Sequence, residues 1–149
     1  MATMTVERRS TAQPANVWAI LTDLEGSPAR ITGIDSVDVL TDPPFGVGTT
    51  WRETRTMMGK SSTEQMAVES VQPGSSYVVV SNAHGASYSS TMSVAPDGDG
   101  SLISMSFAAE ANGTVAKFFA STVGKLFEGQ TRKMLQQDLA DIAAAAEAM

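Results

Sequence analysis

The chain has 149 residues, with ten Lys and Arg, sixteen Asp and Glu, one His and no Cys, for a formal net charge of −6. The missing cysteines exclude disulfides, zinc–thiolate sites and thiol nucleophiles, and the negative charge with scattered cations speaks against nucleic-acid binding. A 42% hydrophobic and 17% charged composition is globular rather than disordered.

This length suits one domain, residues 1–149, able to bury about two thirds of its unfolded surface. No apolar h-region opens the chain, and no apolar stretch approaches the ~18 residues of a membrane span. A cytoplasmic protein without a span is expected.

Residues 3–9 alternate and read as a first strand. Pro14 then opens a short helix, ANVWAILTDL, because a first helical turn has no use for the N–H that proline lacks. Val17, Trp18, Ile20, Leu21 and Leu24 give that helix one apolar side, and Gly26 and Pro28 stop or redirect it. A second short helix is expected over residues 28–32. Residues 34–40 form a strand that ends at Asp42-Pro43-Pro44, since proline cannot hold a central ladder position. A long strand over 47–57 follows, then the turn Met58-Gly59-Lys60 and a strand over 62–71 closed by Pro73-Gly74. Residues 76–83, with three consecutive valines, are the most β-prone run. Gly85 turns the chain into a strand over 87–94, and Pro96-Asp97-Gly98-Asp99-Gly100 forms a hairpin loop before a last strand over 102–110.

Five consecutive turn-separated strands predict an antiparallel meander, long enough to curve strongly. Asn112-Gly113-Thr114 then introduces a helical tract running to the C-terminus, with Asn112 or Thr114 as its cap. Val115, Phe119, Thr122, Val123 and Leu126 form one stripe of that helix. Past Gly129 the apolar positions shift to Leu135, Leu139 and Ile142, which predicts a bend there.

Alternation places Tyr88, Met92 and Val94 on one face of their strand, and Ile103, Met105 and Phe107 on one face of the next, opposite Ser- and Thr-rich faces. Trp51, Glu53, Arg55 and Met57 likewise share a face. Residues of these types are first of all core. A curved sheet closed by one helix also leaves room for a guest, and nine methionines suit a deformable lining. The pocket candidates are therefore Trp51, Glu53, Arg55, Met57, Tyr88, Met92, Ile103, Met105 and Phe107 from the sheet, with Phe119, Val123 and Leu126 from the helix.

If Trp51 points inward, Glu53 and Arg55 do too, and they must be paired or solvated. They orient a polar end of a ligand, or they face solvent, or they pair with each other. His84 belongs to the residue type that exchanges protons near neutral pH. No Ser-His-Asp spacing accompanies it, and a histidine at a strand end beside Gly85 is ordinarily a surface residue. One His and no Cys make no metal site, and no cofactor is expected. Gly46-Val47-Gly48 lacks the following helix of a phosphate loop.

The order strand, short helices, six strands, long helix resembles the Bet v 1-like, START-related superfamily, which includes the polyketide cyclase/dehydrase and lipid-transport proteins known as SRPBCC domains. The local parts are Pro14-Ala15-Asn16-Val17-Trp18, Leu21-Thr22-Asp23 with Pro28 soon after, Val47-Gly48 before a long strand, and the closing amphipathic helix. Ala29 and Arg30 stand where many members place an aromatic residue after the proline. The resemblance implies an α+β helix-grip fold: a seven-stranded curved antiparallel sheet around a long C-terminal helix, with two short helices after strand 1. It also implies a cavity for lipids, polyketides or other hydrophobic molecules, and no catalytic motif to carry over.

Three functions follow as expectations. The first is binding or transport of a small hydrophobic ligand. The second is a cyclase/dehydrase-type enzyme with Glu53, Arg55, Tyr88 or His84 moving protons. The third is a protein-interaction module that uses the outer sheet face or the helix.

Overall fold

The computed structural model describes residues 2–57, 59–83, 86–111 and 122–149. The strands are β1 (Ala2–Ser10), β2 (Ile34–Val39), β3 (Thr50–Met57), β4 (Lys60–Gln72), β5 (Ser76–Ala83), β6 (Ala86–Asp97) and β7 (Gly100–Ala111). The helices are α1 (Pro14–Thr22), α2 (Ser27–Arg30) and α3 (Thr122–Glu147). The seven strands form one antiparallel sheet ordered β1-β7-β6-β5-β4-β3-β2. Strands β2 to β7 are a continuous meander, and β1 joins its far end beside β7. The inner face of this curled sheet grips α3, which is the helix-grip fold.

Two local readings of the sequence need correcting. Strand β3 begins at Thr50 rather than at residue 47. The Thr49 N–H donates to the Gly46 carbonyl at 3.1 Å and Gly48 sits at φ +91°, so residues 46–49 turn and leave Val47 70% exposed. The β6–β7 hairpin is also tighter than expected. Asp97 pairs with Gly100 and Pro96 with Ser101, so only Gly98 and Asp99 form the loop, with Gly98 at φ +57°. Gly100 is required by close approach, because a Cβ there would overlap the Ser10 carbonyl.

The core is solid at one end of the molecule. Val6, Val17, Trp51, Tyr77, Val94, Ile103, Leu135, Leu139 and Ile142 all belong to one buried cluster. The Tyr77 hydroxyl donates to the Leu21 carbonyl at 2.8 Å, and the rings of Trp18 and Phe45 meet Tyr77 edge-on. Burial of the Tyr77 phenol, reinforced by the charge of Glu53, lifts its pKa well above the ordinary value.

The second half of α3 carries three carboxylates, the last of which, Glu147, sits in the final turn, where the helix dipole disfavours negative charge. Each is held by a partner from a different part of the chain. Asp138 meets Arg55 of β3, Asp141 accepts from the Thr32 N–H at 2.8 Å, and Glu147 accepts from the Ser10 hydroxyl at 2.6 Å. These contacts fix the helix against both sides of the sheet. The described part of α3 runs unbroken through Gly129, where a Cβ would meet no atom of the described residues within 4 Å. The expected start of the helix at residues 112–114 lies outside the described residues.

Candidate functional site

Because strand side chains alternate, the inner face of the sheet is fixed by register. Trp51, Glu53, Arg55 and Met57 of β3 face the same side as Glu64 and Met66 of β4, Tyr77, Val79 and Ser81 of β5, and Tyr88, Ser90, Met92 and Val94 of β6. Ile103, Met105 and Phe107 of β7 and Met4 and Val6 of β1 continue it. Burial along this face is graded. At the end capped by α1 and α2, Trp51, Val68, Tyr77, Val94 and Ile103 are all buried. Toward the other end, Met4, Met57, Glu64, Met66, Tyr88, Ser90, Met92 and Phe107 remain partly exposed although they point inward. Tyr88 stacks on Phe107 with ring centroids 5.5 Å apart. Large apolar side chains on a concave face are normally sealed by packing, so this partly open stretch is where a guest molecule would find an apolar surface.

A charged cluster stands at the boundary between the packed and the open ends. Arg55 Nε donates to Glu53 Oε2 at 2.7 Å. Its two Nη groups donate to the two oxygens of Asp138 at 3.2 and 2.9 Å, a bidentate pair. The Trp51 indole N–H donates to the other oxygen of Glu53 at 3.3 Å. Glu53 and Arg55 therefore do pair with each other, but neither faces solvent; they turn inward with Trp51, and a third partner from α3 completes the set. Gly33 makes room for it, since a Cβ there would stand 3.1 Å from Arg55 Nη1.

Burial opposes the charge on Arg55, but Asp138 and Glu53 outweigh that and hold the guanidinium protonated beyond its ordinary range. Burial raises the Asp138 carboxyl above the usual carboxylate range, although Arg55 pulls it the other way. The guanidinium carries five N–H groups, more than these contacts use, and the side chain keeps 21% exposure. Among the described residues it is a fixed cation with hydrogen bonds to spare beside an apolar surface.

The structure thus brings Trp51, Glu53, Arg55, Met57, Tyr88, Met92, Ile103, Met105 and Phe107 onto one face. Ile103 is fully buried and Met105 nearly so, which makes both of them core behind the open stretch. Phe119, His84 and the side chains of Val123 and Leu126 lie outside the described residues. Sequence reasoning missed Asp138. Its signal was present: an Asp at i+3 from Leu135 and i−4 from Ile142 sits inside the apolar stripe, where only a paired charge is tolerated. Glu64, directly across from Glu53, was missed as well.

A separate surface groove of about 230 Å³ lies near α1, α2 and the loop before β3, with Leu24, Val39, Pro43, Pro44 and Phe45 along it and Asp23, Glu25 and Asp42 beside them. Asp23 is held by Arg30 at 2.6 Å.

Solved structures share the fold. TTHA0849 from Thermus thermophilus is 20% identical, covers 99% of this chain and 98% of its own, and superposes with a TM-score of 0.83. Ara h 8.0201 is 17% identical over 99% of both chains with a TM-score of 0.77. The Zhui aromatase/cyclase from Streptomyces sp. R1128 is 14% identical over 98% of this chain and 93% of its own, with a TM-score of 0.76. At these identities the likeness is one of fold alone. No curated protein sequence matches the chain significantly. No described helix is long and apolar enough to cross a membrane. Residues 1–147 match the family model described as polyketide cyclase / dehydrase and lipid transport, and the chain belongs to that family.

Proposed function

We propose that the protein binds a small, mainly apolar molecule with an uncharged hydrogen-bonding end, held between the inner face of the sheet and α3. The observation that carries this reading is the graded inner face: Met66, Met92, Tyr88 and Phe107 point inward yet stay partly exposed, next to the buried Glu53–Arg55–Asp138 cluster. Methionine and aromatic side chains adapt to varied apolar shapes. Membership of a family that includes lipid-transport proteins agrees with it.

The charge balance speaks to the polar end. Around Arg55 stand the acids Glu53 and Glu64 of the sheet and Asp138 of α3, whereas Arg8 and Lys60, which the register places on the same sheet face, are exposed. A ligand carboxylate would face repulsion from those acids at short range in a low-dielectric setting. A hydroxyl or carbonyl can take hydrogen bonds from Arg55 without that penalty.

The test is displacement of the neutral dye Nile red, followed by fluorescence, with decanol and decanoate as matched competitors. Decanol should displace the dye at a concentration at least tenfold lower than decanoate. Equal or better displacement by decanoate overturns the neutral-end reading, and failure of Nile red to bind overturns the cavity reading.

A second reading, a cyclase/dehydrase-type enzyme, is favoured by Arg55. A fixed guanidinium with spare N–H groups could hold a ligand carbonyl and stabilise negative charge building on its oxygen during enolisation. An aromatase/cyclase among the fold neighbours makes that chemistry worth assaying.

A further inference from the structure

At its register with β4, strand β5 is long enough to reach Glu64, yet among the described residues their ladder stops at Ala67 opposite Val80. Beyond it, β4 continues to Lys60 paired with β3, and β5 continues to Ala83 paired with β6. The sheet therefore parts between Met66 and Ser81, inside its width rather than at an edge. Two rungs before the break the register shifts between Val68 and Ser70, a bulge that raises local twist. Alternate backbone N–H and C=O groups of residues 64–66 and 81–83, which would face each other at this register, have no ladder partner among the described residues and are left for water or a guest.

The parting lies beside the open end of the inner face. Met66 and Glu64 on the β4 side, and Ser81 with its β6 neighbour Tyr88 on the other, point inward there. Burial, and then the negative charge of Glu64, raise the Tyr88 hydroxyl above its ordinary pKa. Tyr88 and Glu64 thus sense each other across β5. An opening bordered by unpaired backbone groups lets the polar end of an amphipathic molecule enter without being stripped of hydrogen bonds, while Met66 and Tyr88 meet its apolar body.

We propose that the parting of β4 and β5 is a side entrance to the cavity, selective for neutral hydrogen-bonding ligands, with Met66, Glu64 and Tyr88 at its inner rim. This rests on the cavity reading above.

The chain has no native cysteine, so a single thiol can be placed at will. Gln65 and Asn82 are exposed positions flanking the parting, and Ser70 is an exposed position of β4 on the paired side of it. Gln65→Cys, Asn82→Cys and the control Ser70→Cys are each coupled to a polyethylene glycol maleimide, and Nile red uptake is followed by stopped flow. Labelling at Gln65→Cys or Asn82→Cys should slow uptake at least fivefold, and labelling at Ser70→Cys should leave it unchanged. Equal rates in all three, or equal slowing in all three, overturn the entrance while leaving the cavity in place. No Nile red binding by the unlabelled protein overturns the cavity and the entrance together. Hydrogen exchange reads the parting without any ligand. Gap-facing amides of residues 64–66 and 81–83 should exchange at least a hundredfold faster than those of Ala67 and Val80, the last rung of the ladder; matching protection would show the strands closed.

Discussion

Arg55→Met tests the charged cluster most severely. The substitution keeps length and apolar bulk but leaves Asp138, whose side chain is 3% exposed, and Glu53, at 10%, without their cation. Breaking a buried pair by removing one partner costs about 3–5 kcal/mol. Arg55 itself is 21% exposed, so the loss at pH 7 should fall near the low end, about 3 kcal/mol. The pH dependence is the sharper signature. Asp138 already has a raised pKa from burial, and removing Arg55 takes away the opposing influence. In the variant Asp138 therefore keeps its proton in the folded chain to a higher pH than in the unfolded chain. Between those two values the folded state binds more protons, so stability falls as pH rises, by about 1.4 kcal/mol per unit for one group. Urea unfolding followed by circular dichroism should show the variant within about 1 kcal/mol of wild type at pH 4, where the loss is one of hydrogen bonds, and the gap should widen toward pH 7. A cost that is the same at pH 4 and pH 7, or that stays below about 1 kcal/mol at neutrality, would refute the claim that Arg55 is the buried partner of both carboxylates.

Other outcomes follow from single contacts. Tyr77→Phe removes the hydrogen bond to Leu21 and should cost about 1 kcal/mol at pH 7. Because the folded Tyr77 pKa is raised, wild type loses stability above about pH 10, where the unfolded tyrosine ionises first. The gap between wild type and Tyr77→Phe should therefore shrink in alkaline unfolding titrations, and a constant gap would contradict the burial of that hydroxyl. Gly33→Ala places a methyl 3.1 Å from Arg55 Nη1 and should destabilise by about 1 kcal/mol, in a way not additive with Arg55→Met in a double-mutant cycle. Leu139→Ala, at a position 1% exposed, should cost about 2–5 kcal/mol in the same unfolding assay.

The fold was legible because most of its signals are local. Prolines and glycines at 14, 28, 43, 44, 59, 74 and 98 punctuate the chain, and alternation in β6 and β7 set inside from outside. Strand limits were less readable where a turn was built from a residue that also suits a strand. Val47 looks β-prone but belongs to a turn fixed by the conformation of Gly48. The site was half legible for a different reason. Which face Glu53 and Arg55 occupy follows from Trp51, but what neutralises them depends on a carboxylate that lies 83 residues on from Arg55. No local pattern reports a contact that far along the chain. An Asp inside an apolar helical stripe shows only that a partner is required. The parting of β4 from β5 was invisible for the same reason, since propensity describes one strand and pairing needs two.

The central claim is that the inner face beyond Arg55 is open and takes an apolar guest. The chain's nine methionines provide reporters for it, because several of them line that face and Met149, 65% exposed, does not. Decanol titrated into protein labelled with 13C at the methionine methyl groups should shift the Met66 and Met92 resonances saturably and leave Met149 in place. A spectrum in which no inner methyl moves, or in which only Met149 responds, would contradict the account.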